Sequence, residues 1–209
     1  MFSLQTIFGK GDTFYGLLEA SAEAARQSTR ALSTLLDAPL PTRSLDEFRV
    51  ARRREKELFA QINEALVDTF VTALEREDIE ALAAALYKIP KTVEKFAERY
   101  VLFSDRLVDV DFASRAKMLE KAADVIVQMT AELRSGFKLD LMHDLNERMQ
   151  SIESEADRLI LELCQDLFTN ERDPAKLILR KDLFELLEKA IDRCRDAGNV
   201  IYQIVLKNS

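Results

Sequence analysis

The chain has 209 residues, enough for one large domain or two small ones, with 47% hydrophobic residues, five Gly, four Pro and no Trp. That composition suits long uninterrupted helices and argues against a turn-rich β fold. Thirty Lys and Arg against 37 Asp and Glu leave a net charge of −7, which repels phosphate backbones and argues against nucleic acid as a partner.

Six helical segments follow from the apolar spacing. The first is expected from about Asp12 to Leu36, with Leu18, Ala22, Ala25, Thr29 and Leu32 on one side and Pro39 and Pro41 ending it. The second starts at Ser44, where Ser44 and Glu47 have the spacing of a capping box, and runs to about Thr72. The third starts near Asp78 and steps through Ile79, Leu82, Leu86, Ile89, Val93, Phe96 and Tyr100. Alternating steps of three and four make a bundle-type seam. Pro90 lies inside it, so a bend is expected there and not a break.

Asp111 is a good N-cap for the fourth helix, which steps through Phe112, Ala116, Leu119, Ala123, Ile126, Thr130 and Leu133 to a natural stop at Gly136. The fifth runs from about Leu139 to Phe168 through Leu145, Met149, Ile152, Ala156, Leu159 and Leu163. The sixth begins after Asp173-Pro174, an N-cap followed by proline at the first helical position, and runs almost to the C-terminus.

The third and sixth segments are related by one offset: Ile79, Leu82, Leu86, Val93 and Tyr100 fall on Leu183, Leu186, Ala190, Ala197 and Ile204. Internal duplication of this kind constrains a fold strongly. The expected architecture is all-α: two pseudo-repeated antiparallel three-helix bundles, about 12–104 and 111–206, packed side by side in one unit spanning 1–209. The linker from Ser104 to Asp111 is short and carries no low-complexity sequence.

Little in the chain suits catalysis. His143 is its one histidine, which denies a single chain a His-based triad or a multi-His metal site. It reads as a surface residue. Gly9-Lys10-Gly11 lacks the strand and spacing of a phosphate loop. Cys164 and Cys194 lie in helical stretches without C-x-x-C spacing and read as free buried thiols.

The carboxylates carry more. Glu153 and Asp157 are four apart in the fifth helix, as are Asp192 and Asp196 in the sixth. Each pair shares one helix face, and two such pairs on adjacent helices can gather oxygen donors around a hard cation such as Mg, Ca, Mn or ferric iron. On spacing alone both pairs also read as solvated faces, because chance supplies roughly six acid pairs at this spacing in so acidic a chain. What distinguishes them is the duplication. In the first repeat Glu55 falls on Glu153, but Phe59 falls on Asp157, and Lys88 and Thr92 fall on Asp192 and Asp196.

Arg49, Arg52, Arg53, Arg54 and Lys56 cluster in the second helix. They suit an anion, a lipid headgroup or an acidic partner, or else pair with Glu55, Glu57 and acids on neighbouring helices. Phe2, Leu4, Ile7 and Phe8 near the N-terminus can touch a partner or membrane surface, or fold back on the bundle. No apolar run approaches the roughly 20 residues that span a bilayer, and no signal-peptide cleavage pattern follows Met1. A cytoplasmic protein is expected, peripheral to the inner membrane at most. The exposed faces of long helices admit a homo-oligomer without demanding one.

These features are similar to the PhoU-like family of accessory proteins of the low-affinity inorganic phosphate (Pit) transporter. The resemblance begins at Phe8-Gly9-Lys10 and Thr13-Phe14-Tyr15-Gly16-Leu17-Leu18. It is clearest at Ile152-Glu153-Ser154-Glu155-Ala156-Asp157, Arg180-Lys181-Asp182-Leu183 and Ile191-Asp192-Arg193-Cys194-Arg195-Asp196. It implies a non-enzymatic regulator acting by contact with a phosphate transporter at the inner face of the membrane. It also implies acidic motifs that hold a metal ion or cluster (iron, manganese, magnesium or zinc), here through Glu153, Asp157, Asp192 and Asp196. An ammonium at Lys88 opposes a cation in the first repeat, so one site at most is expected, in the second.

Overall fold

The computed structural model describes residues 4–39, 43–107 and 110–209, with side chains from residue 12 onward. It contains six long helices: α1 (Leu4–Asp37), α2 (Asp46–Asp68), α3 (Arg76–Leu102), α4 (Ala113–Ser135), α5 (Leu139–Asn170) and α6 (Pro174–Asn208). A short 3-10 turn, Ser104–Arg106, lies between α3 and α4. The expected contact of Phe2, Leu4, Ile7 and Phe8 lies outside the described side chains.

Helices α1, α2 and α3 pack on one another as one three-helix bundle, and α6 packs with both α4 and α5 in the other. The bundles meet along two seams, α1 against α4 and α3 against α6. Both seams are antiparallel. Arg134 near the end of α4 donates from Nε to Glu19 early in α1 at 2.9 Å, and Lys207 near the end of α6 donates to Asp78 at the start of α3 at 2.7 Å. The two inner helices of each bundle thus meet their own counterparts, as an internal twofold relation requires. Outer helices α2 and α5 each cover one side.

Every seam residue expected in α3, from Ile79 to Tyr100, is buried, as are Leu18, Ala22, Ala25, Thr29 and Leu32 of α1 and the whole α4 series from Phe112 to Leu133. Where the bundles join, the rings of Phe96 and Tyr100 (α3), Phe112 and Phe184 (α6) form one cluster. Phe112 touches all three others, at centroid distances of 5.4, 5.7 and 4.6 Å.

Several helix ends depart from expectation, each for a local reason. α1 starts at Leu4, upstream of Asp12; glycine inside a helix costs only about 1 kcal/mol and does not by itself end one. α2 starts at Asp46 without a capping box. The Ser44 hydroxyl accepts from the Asp46 N–H at 3.1 Å and donates to the Asp46 carboxylate at 2.9 Å, so a shorter loop replaces the reach to Glu47. α2 ends at Asp68 and not Thr72. There Arg76 donates to the carbonyls of Thr69, at 2.8 Å, and Leu66, satisfying acceptors at the helix end. α3 begins at Arg76 and runs on through Pro90, where the Thr92 hydroxyl bonds the Lys88 carbonyl at 2.9 Å.

The other stops and starts follow the residues. Gly136 adopts φ 96° at the end of α4, a conformation that costs a residue with a Cβ. Asp173 accepts from the Ala175 N–H at 2.9 Å. Asp111 accepts from the N–H groups of Ala113, at 2.9 Å, and Ser114 and from the Ser114 hydroxyl at 2.6 Å. Replacing Asp111 with alanine is expected to cost about 1 kcal/mol of stability, read as a lower urea midpoint with an unchanged slope.

Candidate functional site

The acid pairs sit on α5 and α6, adjacent antiparallel helices of the second bundle. Spacing of four puts Glu153 and Asp157 on one face of α5, and packing brings carboxylate oxygens of both near Asp192 of α6. Glu153, Asp157 and Asp192 each offer a carboxylate oxygen such that all three lie within 4.8 Å of one another. Glu153 is largely covered, at 15% side-chain exposure, Asp192 half-buried and Asp157 exposed. Asp196 stands outside this trio. Its Oδ2 accepts from Arg193 at 2.9 Å, one turn further along α6.

Two residues of the site were not singled out from the sequence. Glu188 precedes Asp192 by one turn of α6. Burial, then the charges of Asp192, Asp157, Glu185 and Glu153, raise its carboxyl pKa above the ordinary value. Its signal in the sequence is the continued spacing of four, 188, 192 and 196. The second is Arg195, whose Nη1 donates to Glu153 Oε1. Its Nη2 lies 3.7 Å from both Asp192 and Asp196.

Burial also raises the Asp192 pKa; Arg195 opposes this and Asp157 and Asp196 add to it. Burial pulls the other way on Arg195, yet Asp192, Glu153 and Asp196 leave its pKa above the ordinary value. Five carboxylates thus share a small surface with the guanidiniums of Arg193 and Arg195. All-oxygen donors, an excess of negative charge and partial shelter fit a hard cation.

In the first bundle the corresponding place has the opposite character. Glu55 is fully buried, and neither of its carboxylate oxygens has a hydrogen-bond partner. Burial pushes its carboxyl up to about 8, against Arg52, the neighbouring Ser21 hydroxyl and Arg54. The Ser21 hydroxyl, although close enough to favour the charged form, makes no well-formed hydrogen bond. Arg52 is itself buried. Its Nε lies 3.3 Å from Glu94, and its Nη2 donates to the Tyr87 hydroxyl at 3.0 Å. Phe59 occupies the place of Asp157 and packs on the Tyr87 ring at 5.1 Å. Lys56 and Lys91 lie near enough to Tyr87 to help lower its pKa, behind the larger effect of the Arg52 hydrogen bond. Related grooves in the two repeats therefore carry opposite charge.

The arginine-rich face of α2 is largely internal pairing, although not with Glu55. Arg49 meets Asp46 at 3.2 Å, Arg54 meets Glu57 at 3.9 Å and Arg52 meets Glu94. Arg53 and Lys56 are exposed. His143 is a surface residue, between Glu147 at 3.2 Å and the Tyr202 hydroxyl at 3.3 Å. Cys194 is a buried thiol pushed up to about 12 by burial. Cys164 is only half-buried, contrary to expectation, because α5 turns that flank outward. No helix among the described residues is long and apolar enough to cross a membrane.

Comparison with protein-family models yields no match. Comparison of folds does. The structure superposes on a PhoU-like protein from Shewanella oneidensis MR-1 with a TM-score of 0.81, covering 92% of this chain and 99% of that one at 16% identity. A second PhoU-like structure from the same organism gives 0.77, covering 93% and 99% at 16% identity. The chain has the PhoU-like fold. In sequence, the chain is 29% identical over 140 residues to UPF0111 protein YkaA of Bacillus subtilis (strain 168), 67% of this chain and 68% of that one. It is 23% identical over 201 residues to the "Putative pit accessory protein" of Rhizobium meliloti (strain 1021), covering 94% of each.

Proposed function

We propose that this protein is a non-enzymatic accessory of inorganic phosphate transport, acting on a transporter by protein contact from the cytoplasmic side of the membrane. The observation that carries this reading is the similarity to the "Putative pit accessory protein" along 94% of both chains, joined to the PhoU-like fold. On this reading residues 1–209 work as one PhoU-like domain. Exposed apolar side chains at Val67, Phe70 and Val71, just beyond and at the end of α2, add contact surface to it. The test is an affinity capture from gently solubilised membranes, with phosphate uptake measured in cells lacking the protein. Recovery of a phosphate transporter and altered uptake are the expected results. A folded bait that recovers no transporter, in cells whose uptake is unchanged by the deletion, overturns the reading.

A second role, compatible with the first, is metal binding at the second repeat. The convergence of Glu153, Asp157 and Asp192 favours it. These three residues would hold the ion, with Asp196 and Glu188 at the margin, and a bound cation would neutralise the acid excess and tie α5 to α6. Asp192→Asn is expected to lower Mn²⁺ affinity by about tenfold or more, read by titration calorimetry. Equal affinity in the variant and the parent sinks the assignment of Asp192.

A further inference from the structure

The acid cluster already holds a cation of its own. Arg195 reaches across from α6 to bond Glu153 on α5, and the same head lies 3.7 Å from Asp192 and Asp196. Its position is where a metal drawing on Glu153 and Asp192 would place its positive charge.

In the first repeat an arginine from the outer helix fills the corresponding groove. Arg52 is buried there, at 8% side-chain exposure, and is held by Glu94 and by the Tyr87 hydroxyl. Lys88 and Thr92 replace the two aspartates, leaving few spare oxygens for a metal. Arg195 differs in three ways. Its side chain keeps 34% exposure, so the head has a route to water. Only its contact with Glu153 is close, the other two being 3.7 Å. And its Nε is buried without a partner, so the present pose leaves one donor unused and gives that up without loss.

We propose that Arg195 is the resident cation of the second-repeat cluster and gates it, so that a divalent metal enters by displacing the guanidinium from Glu153. This rests on the metal-binding reading above. The balance of charge follows directly. With the arginine in place the cluster is partly neutralised, which holds α5 and α6 together without metal. When a divalent ion takes the carboxylates, the guanidinium is repelled and swings to solvent. The metal-free and metal-bound surfaces then differ at this end of α6 by the exposure of one arginine. Only a cation able to outcompete a covalently tethered guanidinium fills the site, which sets a threshold on the free metal concentration.

The test compares Mn²⁺ binding to the parent chain, Arg195→Gln and Arg195→Lys by titration calorimetry, with thermal melts at each metal concentration. Arg195→Gln is expected to bind Mn²⁺ at least about tenfold more tightly, because a unit charge about 4 Å from the ion opposes it by more than one decade even at surface dielectric. Arg195→Lys keeps the charge and is expected to stay closer to the parent. Metal-free Arg195→Gln is expected to melt below the parent, and Mn²⁺ to restore it, which a purely structural role would not produce. A measurement on the parent itself stands apart from any variant. Adding Zn²⁺ should move the Arg195 Nε–H nuclear resonance toward that of free arginine.

Equal Mn²⁺ affinity in the parent and Arg195→Gln, with an unmoved Arg195 resonance on metal binding, overturns the gate and leaves the metal site standing. Absence of Mn²⁺ and Zn²⁺ binding in every form overturns the metal reading, and the gate with it.

Discussion

Glu55→Gln is expected to remove a pH-dependent loss of stability that the parent chain shows between about pH 4.5 and pH 8. Glu55 is fully buried and neither oxygen is hydrogen-bonded, so the carboxylate is far costlier to bury than the neutral acid. Burial raises its folded pKa to about 8, from an ordinary 4.5. Between those values the folded chain binds a proton that the unfolded chain has released. Stability therefore falls as pH rises through this window and levels off above the folded pKa. One proton corresponds to about 1.4 kcal/mol per pH unit, so the full span amounts to several kcal/mol. Glutamine keeps the shape and cannot ionise.

Urea unfolding at a series of pH values should show the parent steeper than Glu55→Gln by one proton across pH 5.5 to 7.5. Identical slopes would mean that Glu55 is solvated or paired in solution. Glu94, Glu188 and Asp192 are also raised, by burial first, and tilt both curves in the same sense. The difference between the curves reports Glu55 together with its coupling to Glu94 through Arg52, while Glu188 and Asp192, in the other bundle, cancel.

Phe112→Ala is expected to destabilise the chain by about 3–5 kcal/mol, the cost of deleting a large aromatic side chain from a packed core. Phe112 is 1% exposed and meets Phe96, Tyr100 and Phe184. Its neighbours come from both bundles and are themselves buried or nearly so, which limits their ability to collapse into the space. Phe184→Ala removes a ring from the same cluster, and the two changes should combine non-additively because they share contacts. A loss under about 1 kcal/mol, measured by denaturant midpoint, would show that the bundles do not depend on this junction.

Most of the architecture was legible because it rests on local periodicity. The seam from Ile79 to Tyr100 and the series from Phe112 to Leu133 repeat every three and four residues, and a helix converts that spacing into one buried face whatever lies opposite. Asp111, Gly136 and Asp173 marked their boundaries because capping needs only the next few residues. The start of α2 departs from the capping-box spacing for the complementary reason. Ser44 has two local partners within reach, the Asp46 and Glu47 backbones, and the choice between loops that close on one or the other depends on how the preceding chain arrives. The end of α2 depends on Arg76, eight residues beyond it.

The sequence by itself determined that the chain is helical and duplicated, and that only one copy keeps the four acids at Glu153, Asp157, Asp192 and Asp196. Each of these is a statement about spacing along one chain, which the 3.6-residue turn carries directly into three dimensions. Tertiary structure alone decided which acids converge. It joined Glu153, Asp157 and Asp192, left Asp196 to Arg193, brought Glu188 alongside and placed Arg195 between two helices. It also buried Glu55 while exposing Asp157. Those outcomes turn on the rotation of α5 against α6 and of α2 against α1 and α3. That rotation is set by side-chain packing across the bundle, which spacing along a single helix does not encode.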